Sequence, residues 1–262
     1  MIIKNQYFNK LCRLSLAISI SLGFFGCNAP RDNPLDPNSD HYVPPIIPDN
    51  PAVIEFFSIK TAFIGLTQGE EPRSTITAEA HIDDPDGIEN VYLEIADSIR
   101  FIMPYDASVQ HYRFEFNPVQ TGYTIFNFVG DPFHLFVFDS DGHVEKSDKA
   151  MITRVLADLP ELIWPVGGMI SYTEYPTLVW KKYDVQFNIN YSVQVRTLAG
   201  VIRYEENDIV SANPTEQGDL FDSLRVDTPL IDDDYLWNVW VYDLLGNFTR
   251  SETSRFVVND TT

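Results

Sequence analysis

The chain has 262 residues with 18 basic and 38 acidic side chains, a formal charge of −20, which makes nucleic acid and anionic lipid surfaces poor partners for it. A hydrophobic content of 44%, with 13% aromatic residues, excludes wholesale disorder. Only two cysteines occur, Cys12 and Cys27, so no disulfide framework holds the fold together.

Lys4, Lys10 and Arg13 precede a run of apolar and small residues from Leu14 to Phe25, with no acidic residue before Cys27. The run has the length of a signal h-region and falls short of the roughly 20 residues that span a bilayer. It ends in Gly26-Cys27, where the small Gly26 suits cleavage just ahead of the cysteine. This end of the chain resembles the lipobox of bacterial lipoproteins, with Phe24 where that family usually has Leu. The resemblance implies that residues 1–26 are an export signal and that Cys27 takes a diacylglycerol group, later joined by an acyl chain such as palmitate. The mature chain would then keep Cys27 alone, with 15 basic residues against 38 acidic ones, a formal charge of −23.

Residues 27–50 carry Pro30, Pro34, Pro37, Pro44, Pro45 and Pro48. Prolines at this density favour extended conformation, a semi-rigid stalk of up to ~70 Å at 3.1 Å per residue. Arg31-Asp32-Asn33-Pro34-Leu35-Asp36-Pro37 resembles the segment after the lipid cysteine in many lipoproteins of two-membraned bacteria. That likeness implies the outer membrane of the cell envelope.

Beyond the stalk the pattern has period two. Ile76, Ala78, Ala80 and Ile82 alternate with Thr75, Thr77, Glu79 and His81; Val91, Leu93 and Ile95 alternate with Tyr92 and Glu94; Tyr112, Phe114 and Phe116 alternate with Arg113 and Glu115. Alternation between turn signals, without a long 3.6-residue period, predicts an all-β fold of sandwich type and no helix of consequence. Phe133-His134-Leu135-Phe136-Val137-Phe138-Asp139 and Trp237-Asn238-Val239-Trp240-Val241-Tyr242-Asp243 match position for position at a spacing of 104, as do Gly142-His143 and Gly246-Asn247. One unit used twice predicts two tandem immunoglobulin-like β-sandwiches, residues 51–156 and 157–262, meeting near Leu159-Pro160.

In the second copy, Pro176 to Trp180, Tyr191 to Val195, Tyr235 to Asn247 and Phe256 to Val258 resemble strands B, C, F and G of fibronectin type III domains. The resemblance covers residues 160–258 and implies that Trp180 is the core indole and Tyr235 the tyrosine-corner residue. The first copy lacks the strand B tryptophan and reads only as immunoglobulin-like.

Chemistry is sparse. No G-x-S-x-G, P-loop, G-x-G-x-x-G or H-E-x-x-H occurs, and His41, His81, His111, His134 and His143 are scattered singly. The expectation is a protein that is not an enzyme. The B–C and F–G loops of an immunoglobulin-like fold share one pole, which would gather Asp83, Asp84, Asp86, Asp139 and Asp141. Such oxygens suit a structural Ca²⁺, although Pro-Asp-Gly and Asp-Gly are also plain turn chemistry. Alternation turns Phe136, Phe138, Trp240 and Tyr242 outward, and Gln194 and Arg196 would stand beside the last two as a polar rim of a binding face. Leu244-Leu245 at the F–G turn of the second copy is expected to pack on the first. The readings that follow are a lipid-anchored, non-catalytic binding module for an envelope protein or glycan, or a structural subunit of an envelope assembly, with an enzyme accessory module behind them.

Overall fold

The computed structural model describes residues 50–67, 69–210 and 220–260, together with Ser39. The signal, Cys27 and nearly all of the stalk lie outside the described residues.

The first half comprises β1 (Val53–Ile64), β2 (Arg73–Asp83), β3 (Ile88–Ile95), β4 (Ile99–Ile102), β5 (Tyr105–Asp106), β6 (His111–Phe116), β7 (Pro132–Asp139), β8 (Val144–Lys146) and β9 (Ala150–Met151). Two short 3-10 helices, Pro118–Thr121 and Ile125–Phe128, lie between β6 and β7. The second half comprises β10 (Leu162–Trp164), β11 (Met169–Ser171), β12 (Thr177–Lys181), β13 (Ile189–Thr197), β14 (Ile202–Val210), β15 (Phe221–Arg225), β16 (Asp233–Asp243), β17 (Phe248–Arg250) and β18 (Ser254–Val258).

The alternating residues fill two cores. In the first, β2 supplies Ile76, Ala78 and Ala80, and across from it β3 and β7 supply Val91, Leu93, Ile95, Phe133, Leu135 and Val137, all at most 1% exposed. β1, β2, β6 and β5 form one layer and β4, β3, β7 and β8 the other, the two-layer solution that buries one face of each sheet. The second core gathers Trp180, Tyr191, Val193, Val195, Trp237, Val239, Val241 and Phe256 between the β10-β12-β15 layer and the layer of β14, β13, β16 and β18. Both halves are immunoglobulin-like sandwiches. Trp180 is fully buried and meets Tyr191 edge-on at 5.4 Å. The Tyr235 hydroxyl donates to the Ile231 carbonyl at 2.9 Å, the tyrosine-corner contact of fibronectin type III-like folds.

The two sandwiches share a sheet. β1 is twelve residues long, and its last three pair in parallel with β17: Ala62 with Phe248, Phe63 with Thr249, Ile64 with Arg250. Beyond the strand, Gly65 N donates to Arg250 O at 2.8 Å and Thr253 N donates to Leu66 O at 3.0 Å. Asn247 Oδ1 accepts from both the amide and the hydroxyl of Thr61, each at 2.9 Å.

The turn that makes this junction is the one that carries Leu244 and Leu245, but the leucines are not its contact. They are 77% and 49% exposed, which corrects the expectation that they pack on the first sandwich. Asp243 Oδ1 accepts from Leu245 N at 2.8 Å and from Asn247 N at 2.9 Å. That tight turn hands the contact to Asn247 and to Gly246, where an added Cβ would stand 3.3 Å from Lys60 Cδ.

Candidate functional site

The pole loops of the first sandwich do meet, through Ser140, whose amide and hydroxyl both donate to the Gly87 carbonyl, at 2.9 and 3.0 Å. Their carboxylates do not converge. Asp84 Oδ1 accepts from Asp86 N and Gly87 N, and Asp139 Oδ1 accepts from Asp141 N and His143 N. Asp86 Oδ2 accepts from Asn50 N, while Asp83 and Asp141 are exposed. Among the described residues no group of three or more His, Cys, Asp or Glu side chains is arranged to hold a metal ion. The structure thus does not bring Asp83, Asp84, Asp86, Asp139 and Asp141, read from the sequence as a calcium site, into one metal-holding group; Asp84 and Asp139 each cap a turn through Oδ1, while Asp84 Oδ2 is buried without a hydrogen-bond partner. Burial opposes the charge of Asp139, but the hydrogen bonds from the backbone and ring of His143 and from Asp141 N outweigh it and hold its pKa below the usual carboxylate value.

His81 and His111, scattered in the sequence, are neighbours in space. Their rings are 5.3 Å apart, and Phe56 lies 5.2 Å from His111. β2 and β6 are adjacent strands, a proximity that spacing along the chain does not reveal. His81 Nδ1 also contacts Glu55 Oε2, and both side chains are about half exposed, 41% and 52%. This cluster sits on an open sheet face rather than in a closed pocket.

The outward face of β13, β16 and β17 holds the predicted aromatic residues. Register places Ser192 beside Trp240 and Trp240 beside Arg250, with Gln194 beside Asn238 and Arg196 beside Leu236. Trp240, Tyr242, Gln194 and Arg196 are all partly buried on this face. Tyr242 leans on Phe248 with centroids 5.6 Å apart, and the Arg250 guanidinium lies 5.9 Å from the Trp240 ring. Burial first, and then the charge of Glu205, push the Tyr242 hydroxyl pKa up. Arg250 was missed at the sequence level, although the spacing of 104 links it to Lys146.

The first sandwich repeats this layer. Phe136 lies between Arg100, 4.7 Å away, and Lys146, 5.1 Å away. The repeat also extends past its legible motif: Ser147 and Ser251 each donate from the amide to the preceding strand, to Leu135 O and Val239 O. Each returns a hydroxyl oxygen to the amide of the same residue.

No family model and no curated protein matches the chain. Solved structures similar to it include the fibronectin(III)-like modules of Clostridium thermocellum CbhA, at 12% identity and a TM-score of 0.33, covering 79% of this chain and 93% of that one. The FN1-FN3 domains of chicken CNTN1 match at 10% identity and a TM-score of 0.36, covering 77% of this chain and 68% of theirs. Latent PorU from Porphyromonas gingivalis matches at 15% identity and a TM-score of 0.31; the match covers 80% of this chain but only 20% of PorU. These are likenesses of fold alone. Among the described residues no helix is long and apolar enough to cross a membrane.

Proposed function

We propose that this chain is a lipid-anchored protein of the cell envelope, most simply of the outer membrane, in which Cys27 carries the lipid and the two sandwiches form a non-catalytic binding module. The observation that carries the binding part of this reading is the outward layer of aromatic and cationic side chains, built twice at the same repeat positions: Phe136 with Arg100 and Lys146, and Trp240 with Arg250. Aromatic planes rimmed by Arg are common where protein surfaces hold partners. The second sandwich adds Tyr242, Gln194 and Arg196 to the layer, so it is the proposed contact face, for an envelope protein or glycan.

The test uses the full chain to capture partners from its own envelope. Trp240→Ala with Tyr242→Ala should abolish capture while leaving the melting temperature within a few degrees. Unchanged capture, or loss of the fold, would assign these rings to packing instead.

A second reading, a structural subunit of an envelope assembly, is favoured by β14. This nine-residue strand pairs only with β13 among the described residues, and its ends, Ile202 and Val210, are 50% and 75% exposed. Open edges of this kind pair readily with further strands.

A further inference from the structure

The two copies of the outward layer differ in how their cations are neutralised. In the first sandwich, Glu94 projects from β3 beneath the layer, and Arg100 Nε donates to its Oε2 at 2.6 Å. That glutamate side chain is only 8% exposed. In the second sandwich the corresponding position on β13 is Gln194: Glu94 stands two residues after Tyr92, which pairs with Phe136, and Gln194 stands two after Ser192, which pairs with Trp240. The acid is absent while the cations still number two, Arg196 and Arg250 against Arg100 and Lys146. Arg196 and Arg250 both serve this face, and the Nε of each is buried without a hydrogen-bond partner. Arg250 spends one other donor on the Gly65 carbonyl at 2.8 Å. The neighbouring Glu205 accepts from Gln194 Nε2 at 3.3 Å, and no carboxylate pairs with either arginine among the described residues. Burial, and secondarily the charge of Arg196, lower the pKa of Arg250, as two guanidiniums sharing a site without a counter-charge should.

Buried, unmatched Nε–H donors are costly, and a planar guanidinium matches the two oxygens of a carboxylate. We infer that Arg250, beside Trp240, and Arg196, beside Leu236 on the same face, form a receptor for a carboxylate side chain, Asp or Glu, presented by a partner protein that lays an acidic residue where the first sandwich uses its own Glu94. A protein carboxylate fits better than an acidic polysaccharide, because the chain's charge of −20 repels polyanions while one glutamate can be enclosed at the pair. This inference rests on the binding-face reading above and names the chemistry of its ligand.

The experiment follows the arginine Nε–H signals of the full chain by NMR while N-acetylglutamate α-amide is titrated in, with glucuronate, chloride and phosphate as parallel arms. The amide should move the Arg196 and Arg250 signals saturably. Arg196→Gln should weaken binding about tenfold, the loss of one charge-assisted hydrogen bond. Gln194→Glu should do the same by supplying the acid internally, and should raise the melting temperature, so the test survives even if Arg196→Gln fails to fold. No saturable shift in the wild type, or equal binding by Gln194→Glu, overturns the inference. Tighter binding of glucuronate assigns the pair to an acidic glycan, and equal response to chloride or phosphate reduces it to nonspecific anion contact; either also overturns it. Loss of partner capture in the Trp240/Tyr242 variant without glutamate binding sinks this inference alone. Glutamate binding with unchanged capture sinks the reading of the aromatic face alone.

Discussion

Alanine at position 65 probes the shared sheet directly. The new Cβ would lie 2.5 Å from Glu252 N, 2.6 Å from Ser251 C and 2.9 Å from Ser251 O. All three are backbone atoms of the bend between β17 and β18, so no side chain can swing aside. Either the backbone absorbs the clash, at about 1–3 kcal/mol, or the end of β1 separates from β17. Separation forfeits the Gly65–Arg250 amide bond, worth ~1 kcal/mol, and the guanidinium bond to the Gly65 carbonyl, worth ~1.5–3 kcal/mol. Alanine returns ~0.4–1 kcal/mol by restricting the unfolded chain. The molecule takes the cheaper route, so the net loss should be about 1.3 kcal/mol, or about 3–5 °C in melting temperature for a unit of this size. Scanning calorimetry reads the loss. Residual dipolar couplings report whether the sandwiches still share one orientation. A melting temperature within about 1 °C of wild type, with unchanged couplings, would refute the claim that close backbone approach at Gly65 holds the junction.

Cys27→Ser should release the protein from membranes or leave the precursor uncleaved, whereas native protein should need detergent for extraction, since several chains on one residue anchor stably where one does not; a wild-type mature N-terminus other than Cys27 would contradict this. Asp139 has a folded pKa below its ordinary 3.8, so its turn contributes stability that is present above the unfolded value and lost as pH falls through the folded one. Acid unfolding of Asp139→Asn should accordingly be flatter than wild type below pH 3.8, and identical acid limbs would remove the turn from the account. Replacing Leu244 and Leu245 together by Ser should change stability by no more than about 0.5 kcal/mol, as at other exposed sites; a drop in melting temperature beyond about 4 °C would return the leucines to a packing role. Burial pushes the Tyr183 hydroxyl up to about 12, where it donates to the Asp158 carbonyl. Stability should thus be lost as pH rises from 10.0 through about 12, and Tyr183→Phe should blunt that alkaline loss in a denaturant titration.

The all-β class and both cores were legible because alternation is a local signal: Val91, Leu93 and Ile95, and Trp237, Val239 and Val241, are buried as the period requires. Trp180 and Tyr235 were legible from likeness to fibronectin type III strands. The junction was not. Thr61 and Asn247 are 186 residues apart, and nothing near either position announces that β1 runs on into a second sandwich. Two adjacent leucines gave the stronger local cue and misled, because hydropathy does not register how a buried Asp243 folds the turn. The arrangement of the pole carboxylates was illegible for a related reason. A count of carboxylates does not show which oxygens the backbone already holds. The lack of a carboxylate partner at Arg196 and Arg250 was hidden in the same way, since it depends on strand register and on the exchange of Glu94 for Gln194 between copies.

The parallel seam between β1 and β17 also has a mechanical consequence. Tension between a tether at the N-terminus and a load on the second sandwich would ordinarily fall on residues 153–159, the segment joining the two cores. Here β1 offers a second path. Its hydrogen bonds to β17 and to the bend beyond it run across the direction of pull, so a load along the strands shears the set together instead of peeling it bond by bond. Resistance to such a load is governed by the barrier to rupture rather than by equilibrium stability. A molecule built this way carries the load along two paths at once, the seam and the connecting segment, whose Leu156 is itself buried in the second core and whose Asp158 carbonyl is held by Tyr183 and Thr249.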